Sequence, residues 1–109
     1  MRESMLGLMD TGLPASQLEV IRTTLEKYAA ENVQYHALLT RRAAARRFMS
    51  VHLLMPGTWS ISRGHDVAER IEADLRKAVP GLVVLTHLEP DDDPVSWQDV
   101  ELERKDSAE

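Results

Sequence analysis

The stretch Arg46–Glu72, RRFMSVHLLMPGTWSISRGHDVAERIE, is the tightest constraint on what this chain can fold into. Phe48–Met55 is an apolar run of strand length, and Pro56-Gly57 ends it. Met49, Val51, Leu53 and Met55 alternate with Phe48, Ser50, His52 and Leu54, which leaves apolar residues on both faces and predicts a central strand. Ser60 or Ser62 then caps a helix that carries Ile61, Gly64, Ala68, Ile71, Leu75, Ala78 and Val79 on one face. Pro80-Gly81 stops that helix, and Leu82–Glu89 before Pro90 reads as another strand. A strand, a crossover helix and a strand in succession make the two strands parallel neighbours in one sheet.

Upstream, Ser16 followed by Glu19 has the form of a capping box, and Leu18, Ile21, Leu25 and Tyr28 follow at helical spacing. A helix over Gln17–Ala30 is expected, with Asn32 close to its end. From Val33 the period shortens: Val33, Tyr35, Ala37 and Leu39 alternate with Gln34, His36, Leu38 and Thr40, as in a strand. The arginine-rich link Arg41–Arg47 then makes an antiparallel hairpin with the strand after it. The order is α-β-β-α-β. It predicts an α+β domain with a three-stranded mixed sheet and both helices on one face. Residues 1–15 read as a lead-in, 16–90 as the domain and 91–109 as an acidic tail.

At 109 residues the chain supports a single modest core. No apolar run approaches the roughly 18 residues that a membrane-spanning helix needs, and the N-terminus is a poor signal peptide. There is no cysteine, so a metal ion would be held by His, Asp or Glu. The tail from Asp91 holds eight acids against Arg104 and Lys105, a net −6, and leaves the rest of the chain at +1. A neutral body with an acidic tail argues against nucleic acid as a partner, since phosphate neutralisation supplies most of that affinity. Trp97 is the reason to expect that part of the tail docks. Arg41, Arg42, Arg46 and Arg47 read first as a solvated hairpin tip, and Asp66, Glu69 and Glu72 as solvated helix-face charges. No nucleophile elbow or phosphate-binding glycine loop is present, so no catalytic residue is assigned.

The histidines are the candidates for chemistry. His87 and Glu89 stand two apart on a strand and so leave the same face, a chelating pair by geometry. His36 lies on the neighbouring hairpin, where it can face the same end of the sheet. Neutral imidazole and carboxylate suit zinc at roughly 2.0–2.2 Å in tetrahedral geometry. The bland alternative is that each histidine is a core or surface residue with a satisfied hydrogen bond, and spacing alone does not decide between the two.

Several motifs agree on a resemblance. HALLTRRA from His36, FMSVHLL from Phe48, RGHDVAERIE from Arg63 and THLEP from Thr86 resemble, in this order and spacing, the C-terminal cytoplasmic domain of cation diffusion facilitator transporters. The lead-in LMDTGLP also looks like the family's segment after its last membrane helix, and the similarity runs from Leu6 to Trp97. The resemblance implies a metallochaperone-like (ferredoxin-type) fold, a homodimer, and cytoplasmic binding of zinc or a similar divalent ion. It further implies that His36, His52, His65, His87 and Glu89 are metal ligands. Leu88 stands where some members place a polar residue that helps a second ion. Metal binding near the dimer seam would then stabilise one placement of the protomers and report metal to a transporter's membrane domain. A free-standing metal buffer or sensor of the same fold is the first alternative. A protein- or small-ligand-interaction module with structural histidines is the second, and a hydrolytic zinc enzyme a distant third.

Overall fold

The structure, a computed structural model, describes residues 12–92. The lead-in up to residue 11, and the acidic tail beyond Asp92 with Trp97, lie outside the described residues. Helix α1 (Ala15–Glu26) runs into a short 3-10 turn (Lys27–Glu31). Strands β1 (Gln34–Ala43) and β2 (Arg46–Met55), helix α2 (Ile61–Ala78) and strand β3 (Leu82–Pro90) follow. The α-β-β-α-β order and the mixed sheet are as expected.

The start of α1 differs from expectation. Ser16 lies inside the helix and makes no cap; Pro14 is the N-cap, and its carbonyl accepts from the backbone N–H groups of Gln17 and Leu18. A serine already in helical conformation cannot serve as the cap, so the capping box does not form. The helix also tightens earlier than its apolar spacing suggested. The left-handed Asn32, at φ 67°, ends the 3-10 turn, a conformation that asparagine tolerates better than most residues.

The sheet order is β1-β2-β3, with β2 central, antiparallel to β1 and parallel to β3. The hairpin is tighter than the arginine-rich link implied. Its strands run to Ala43 and resume at Arg46, leaving a two-residue turn whose first residue, Ala44, takes φ 55°. At the opposite edge, Gly81 takes φ 85° between α2 and β3, where a side chain would be strained.

One side of the sheet packs on both helices. Met49, Val51, Leu53 and Met55 of β2 meet Ile21, Leu25 and Tyr28 from the first helical segment and Val67, Ala68, Ile71 and Leu75 from α2 in one core. Ser60 caps α2, its side chain accepting from the Arg63 N–H at 3.0 Å, and Arg76 and Lys77 in the last turn oppose the negative end of the helix dipole. Ile61 corrects the expected apolar face. It is 91% exposed, because as the first helical residue it precedes the point where α2 meets the sheet. Val67 takes a core position instead.

Strand β1 carries a bulge that the simple alternation did not foresee. His36 pairs with His52, but Leu39 pairs with Ser50, so β1 spends one residue more than β2 over this interval. Ala37, at φ 57°, sits within it. The extra residue flips the faces beyond it: Tyr35 and Leu38 pack on the core, while Leu39, expected on the Tyr35 face, is 68% exposed on the far side of the sheet.

Candidate metal centre

The sheet face turned away from the helices carries the site. In register across the three strands, His36 opposes His52 and His52 opposes His87, so all three imidazoles project from one face at one level. The His36 and His52 rings meet edge to face, with centroids 5.0 Å apart at 79°. His87 stacks on the other side of His52, at 5.1 Å and 20°. Glu89, two residues beyond His87 on β3, reaches back across the sheet. Its Oε2 lies 3.0 Å from His52 Nδ1 and its Oε1 3.4 Å from His36 Nε2.

His36, His52 and Glu89 each offer a donor atom within 4.8 Å of the others. At metal–donor distances of roughly 2.0–2.1 Å, the edge of a zinc tetrahedron is about 3.3 Å. The two carboxylate–imidazole spacings, 3.0 and 3.4 Å, run to different oxygens of Glu89; they are hydrogen-bond distances that also lie close to that edge. His36 is 8% exposed, and its Nδ1 is buried with no hydrogen-bond partner among the described residues. A buried polar atom left unpaired costs free energy that a hydrogen-bonding group would recover, whereas the nitrogen of this ring that faces Glu89 is Nε2. The donor set is imidazole and carboxylate, which suits zinc and its neighbours and not a thiolate-selective metal.

The expected ligands thus divide by position. The structure brings together His36, His52 and Glu89, and sets His87 against them through its stack on His52. The chelating pair read from β3 alone, His87 with Glu89, is replaced by a cluster across strands, because Glu89 leans toward β1 and β2. His65 does not join it. It stands in the first turns of α2, largely exposed, with Nε2 3.2 Å from Glu69 Oε2 one helical turn on. Glu69, read as a solvated charge, is thus His65's partner, and Trp59 at the helix entry stacks with Arg63, whose guanidinium carbon is 4.3 Å from the ring centroid. The bulge beside His36 was invisible in the sequence, since alanine is not a residue that signals positive φ. Its trace is the slip in the apolar alternation between Tyr35 and Leu38.

A metallochaperone-like α+β domain with a histidine–carboxylate cluster on the sheet face away from its helices is the class that fold and site define. Residues 13–91 match the family model described as the cytoplasmic domain of cation efflux proteins. The chain belongs to that family. It is 44% identical over 98 residues to an uncharacterised transporter of Synechocystis sp., covering 90% of this chain and 32% of that protein. It is 30% identical to the cation-efflux pump FieF of Pectobacterium atrosepticum, over 81% of this chain and 29% of the pump. Among solved structures, the zinc form of the candidate zinc transporter CzrB superposes with a TM-score of 0.67 at 34% identity, covering 74% of this chain and 92% of that one. The chain spans about a third of the length of the curated relatives it matches, at 32% and 29%. No helix among the described residues is long and apolar enough to cross a membrane.

Proposed function

We propose that this chain is a dimeric divalent-metal-binding regulatory domain of a cation diffusion facilitator transporter, with zinc as the ion that best suits its donors. The observation that carries the reading is the preassembled His36–His52–Glu89 cluster, whose potential donor atoms lie within 4.8 Å of one another, with each oxygen of Glu89 against a different imidazole. His36, His52 and Glu89 hold the ion, and His87 completes its shell or serves a second ion through the carboxylate. Bound metal supplies a positive charge that fixes three strands and their side chains in one arrangement. Each oxygen of Glu89 faces a different imidazole, so the carboxylate suits a bridge as well as a single ion.

Dimerisation has its own support on the same face. Leu39, Val83 and Leu85 are exposed there, and an apolar strip beside a metal cluster is a surface that a second copy covers well. In a dimer His65, outside the cluster of its own chain and 3.2 Å from Glu69, is a further candidate donor. Metal bound near the dimer seam favours one placement of two protomers, and a membrane domain attached to each would feel the shift. The domain boundaries 16–90 with an acidic tail remain the proposed organisation. A calorimetric zinc titration of chelator-treated protein, with light scattering of the apo and loaded forms, tests the reading. Saturable binding of one or two ions per chain in a dimer is expected, and no saturable binding would return the histidines to a structural role.

A further inference from the structure

At the end of the sheet where β2 and β3 finish, a groove of about 240 Å³ opens between the strand ends and the start of α2. Its walls are mainly apolar, with Met55, Trp59, Ile61 and Leu88 as the large side chains. Two of them are conspicuously uncovered: Ile61 is 91% and Leu88 42% exposed. The floor is made by Gly64, where an added Cβ would stand 3.3 Å from Leu88 Cδ2 and 3.4 Å from Met55 Sδ. This is why the helix and strand come so close there while the rim stays open.

The course of the chain at this point names an occupant. After Pro90, the Asp91 N–H donates to the Met55 carbonyl at 2.8 Å, which carries the β2–β3 ladder one step further. Asp92 then lies against Gly57, a lining residue of the groove. From Asp92 the sequence continues Asp93-Pro94-Val95-Ser96-Trp97. Trp97 is five residues past Asp92, and an extended chain of that length reaches roughly 17 Å. Proline stiffens the approach, and the large apolar ring of tryptophan is the residue type that most favours such a cleft. Arg63, stacked on Trp59 at the rim, gives the surrounding acids of the tail a cation to face.

We propose that the groove between the β2–β3 strand ends and α2 is the seat of this chain's own C-terminal tail, with Trp97 inserted against Ile61, Leu88 and Trp59. Glu89 lines the same groove, so the docked tail also braces the strand end that carries the candidate metal carboxylate. The docking itself does not depend on the metal reading. Subtracting the spectrum of the Trp97→Phe variant from that of the full chain, which has two tryptophans, keeps the Trp59 wall intact and isolates the signal of Trp97. Its emission should be blue-shifted and its quenching by acrylamide several-fold weaker than in the same protein unfolded in urea. Adding Ile61→Asp, at an exposed first-turn position where an acid suits the helix, should restore full quenching without loss of helix by circular dichroism. Quenching equal to that of the unfolded chain would overturn the proposal. So would protection that survives Ile61→Asp, which places Trp97 elsewhere, or protection that fades on dilution, which gives the groove to a second copy.

Discussion

Glu89→Gln removes a charge and a candidate donor while keeping the shape of the side chain, and should blunt the stabilisation that zinc confers. The apo fold rests on the core between the helices and the other face of the sheet, which Glu89 does not enter. Without metal, the substitution should shift stability by no more than about 0.5 kcal/mol. With zinc at ~100 times the dissociation constant, the parent protein gains about 2.7 kcal/mol by mass action. For a small domain, where each kcal/mol moves the midpoint by about 4–8 °C, that is a rise of roughly 10–20 °C. Groups that merely orient a ligand contribute roughly 10–100-fold to affinity, so losing this donor should weaken binding at least ~100-fold. At the same zinc concentration the variant then keeps a gain of about 0.4 kcal/mol, a rise of roughly 2–3 °C. Thermal unfolding followed by circular dichroism, at fixed protomer concentration with and without zinc, measures both numbers. A zinc-induced rise as large in the variant as in the parent would show that the carboxylate is not a donor. A large fall in the apo midpoint would show that Glu89 is structural, and the geometric argument would fail with it.

Other perturbations follow from the same structure. Leu53→Ala, at a central-strand position 1% exposed, should cost about 2–5 kcal/mol in denaturant unfolding, and a loss below ~1 kcal/mol would mean that the core is not packed as described. Ala37→Gly should raise stability by about 1 kcal/mol, because glycine accepts φ 57° without the left-handed strain of alanine, whereas Ala37→Val should lower it. The Tyr28 phenol is pushed up to about 12, first by burial and then by its hydrogen bond to Asp74, and Tyr35 is shifted in the same direction. A raised pKa favours the neutral phenol in the fold, so this stability is complete below the ordinary value near 10 and is lost as pH rises towards 12. Phenolate absorbance against pH should show both tyrosines ionising late in folded protein and at ordinary values in urea.

The crossover unit was legible because its signals are local and agree: an apolar strand, a Pro-Gly stop, a serine cap and a second strand before Pro90. Parallel pairing of β2 and β3 then follows from topology alone, and with it the alignment of His52 with His87. The position of His36 was harder to foresee, since it depends on a bulge in which alanine takes positive φ, and nothing in HALL announces that. Leu39 went to the wrong face for the same reason. Ile61 was misplaced because helical periodicity says which side a residue takes, but not whether the helix has yet reached its neighbour. The approach of Glu89 to His36, across a sequence separation of 53, is a tertiary fact that spacing on β3 could not contain.

The distribution of the donors over three strands has a consequence for timing. During synthesis His36 and His52 emerge early and can pair across their hairpin, but Glu89 follows only after α2 has been made. Closing that long loop is entropically costly until the helix-side core forms, so the two histidines hold no carboxylate while the chain is incomplete. A chain truncated before β3 would thus present a weak pair of imidazoles where the finished domain presents a cluster. Metal captured at full strength would report that the last strand has been threaded alongside β2, making the site a record of completed folding as well as of the ion's concentration.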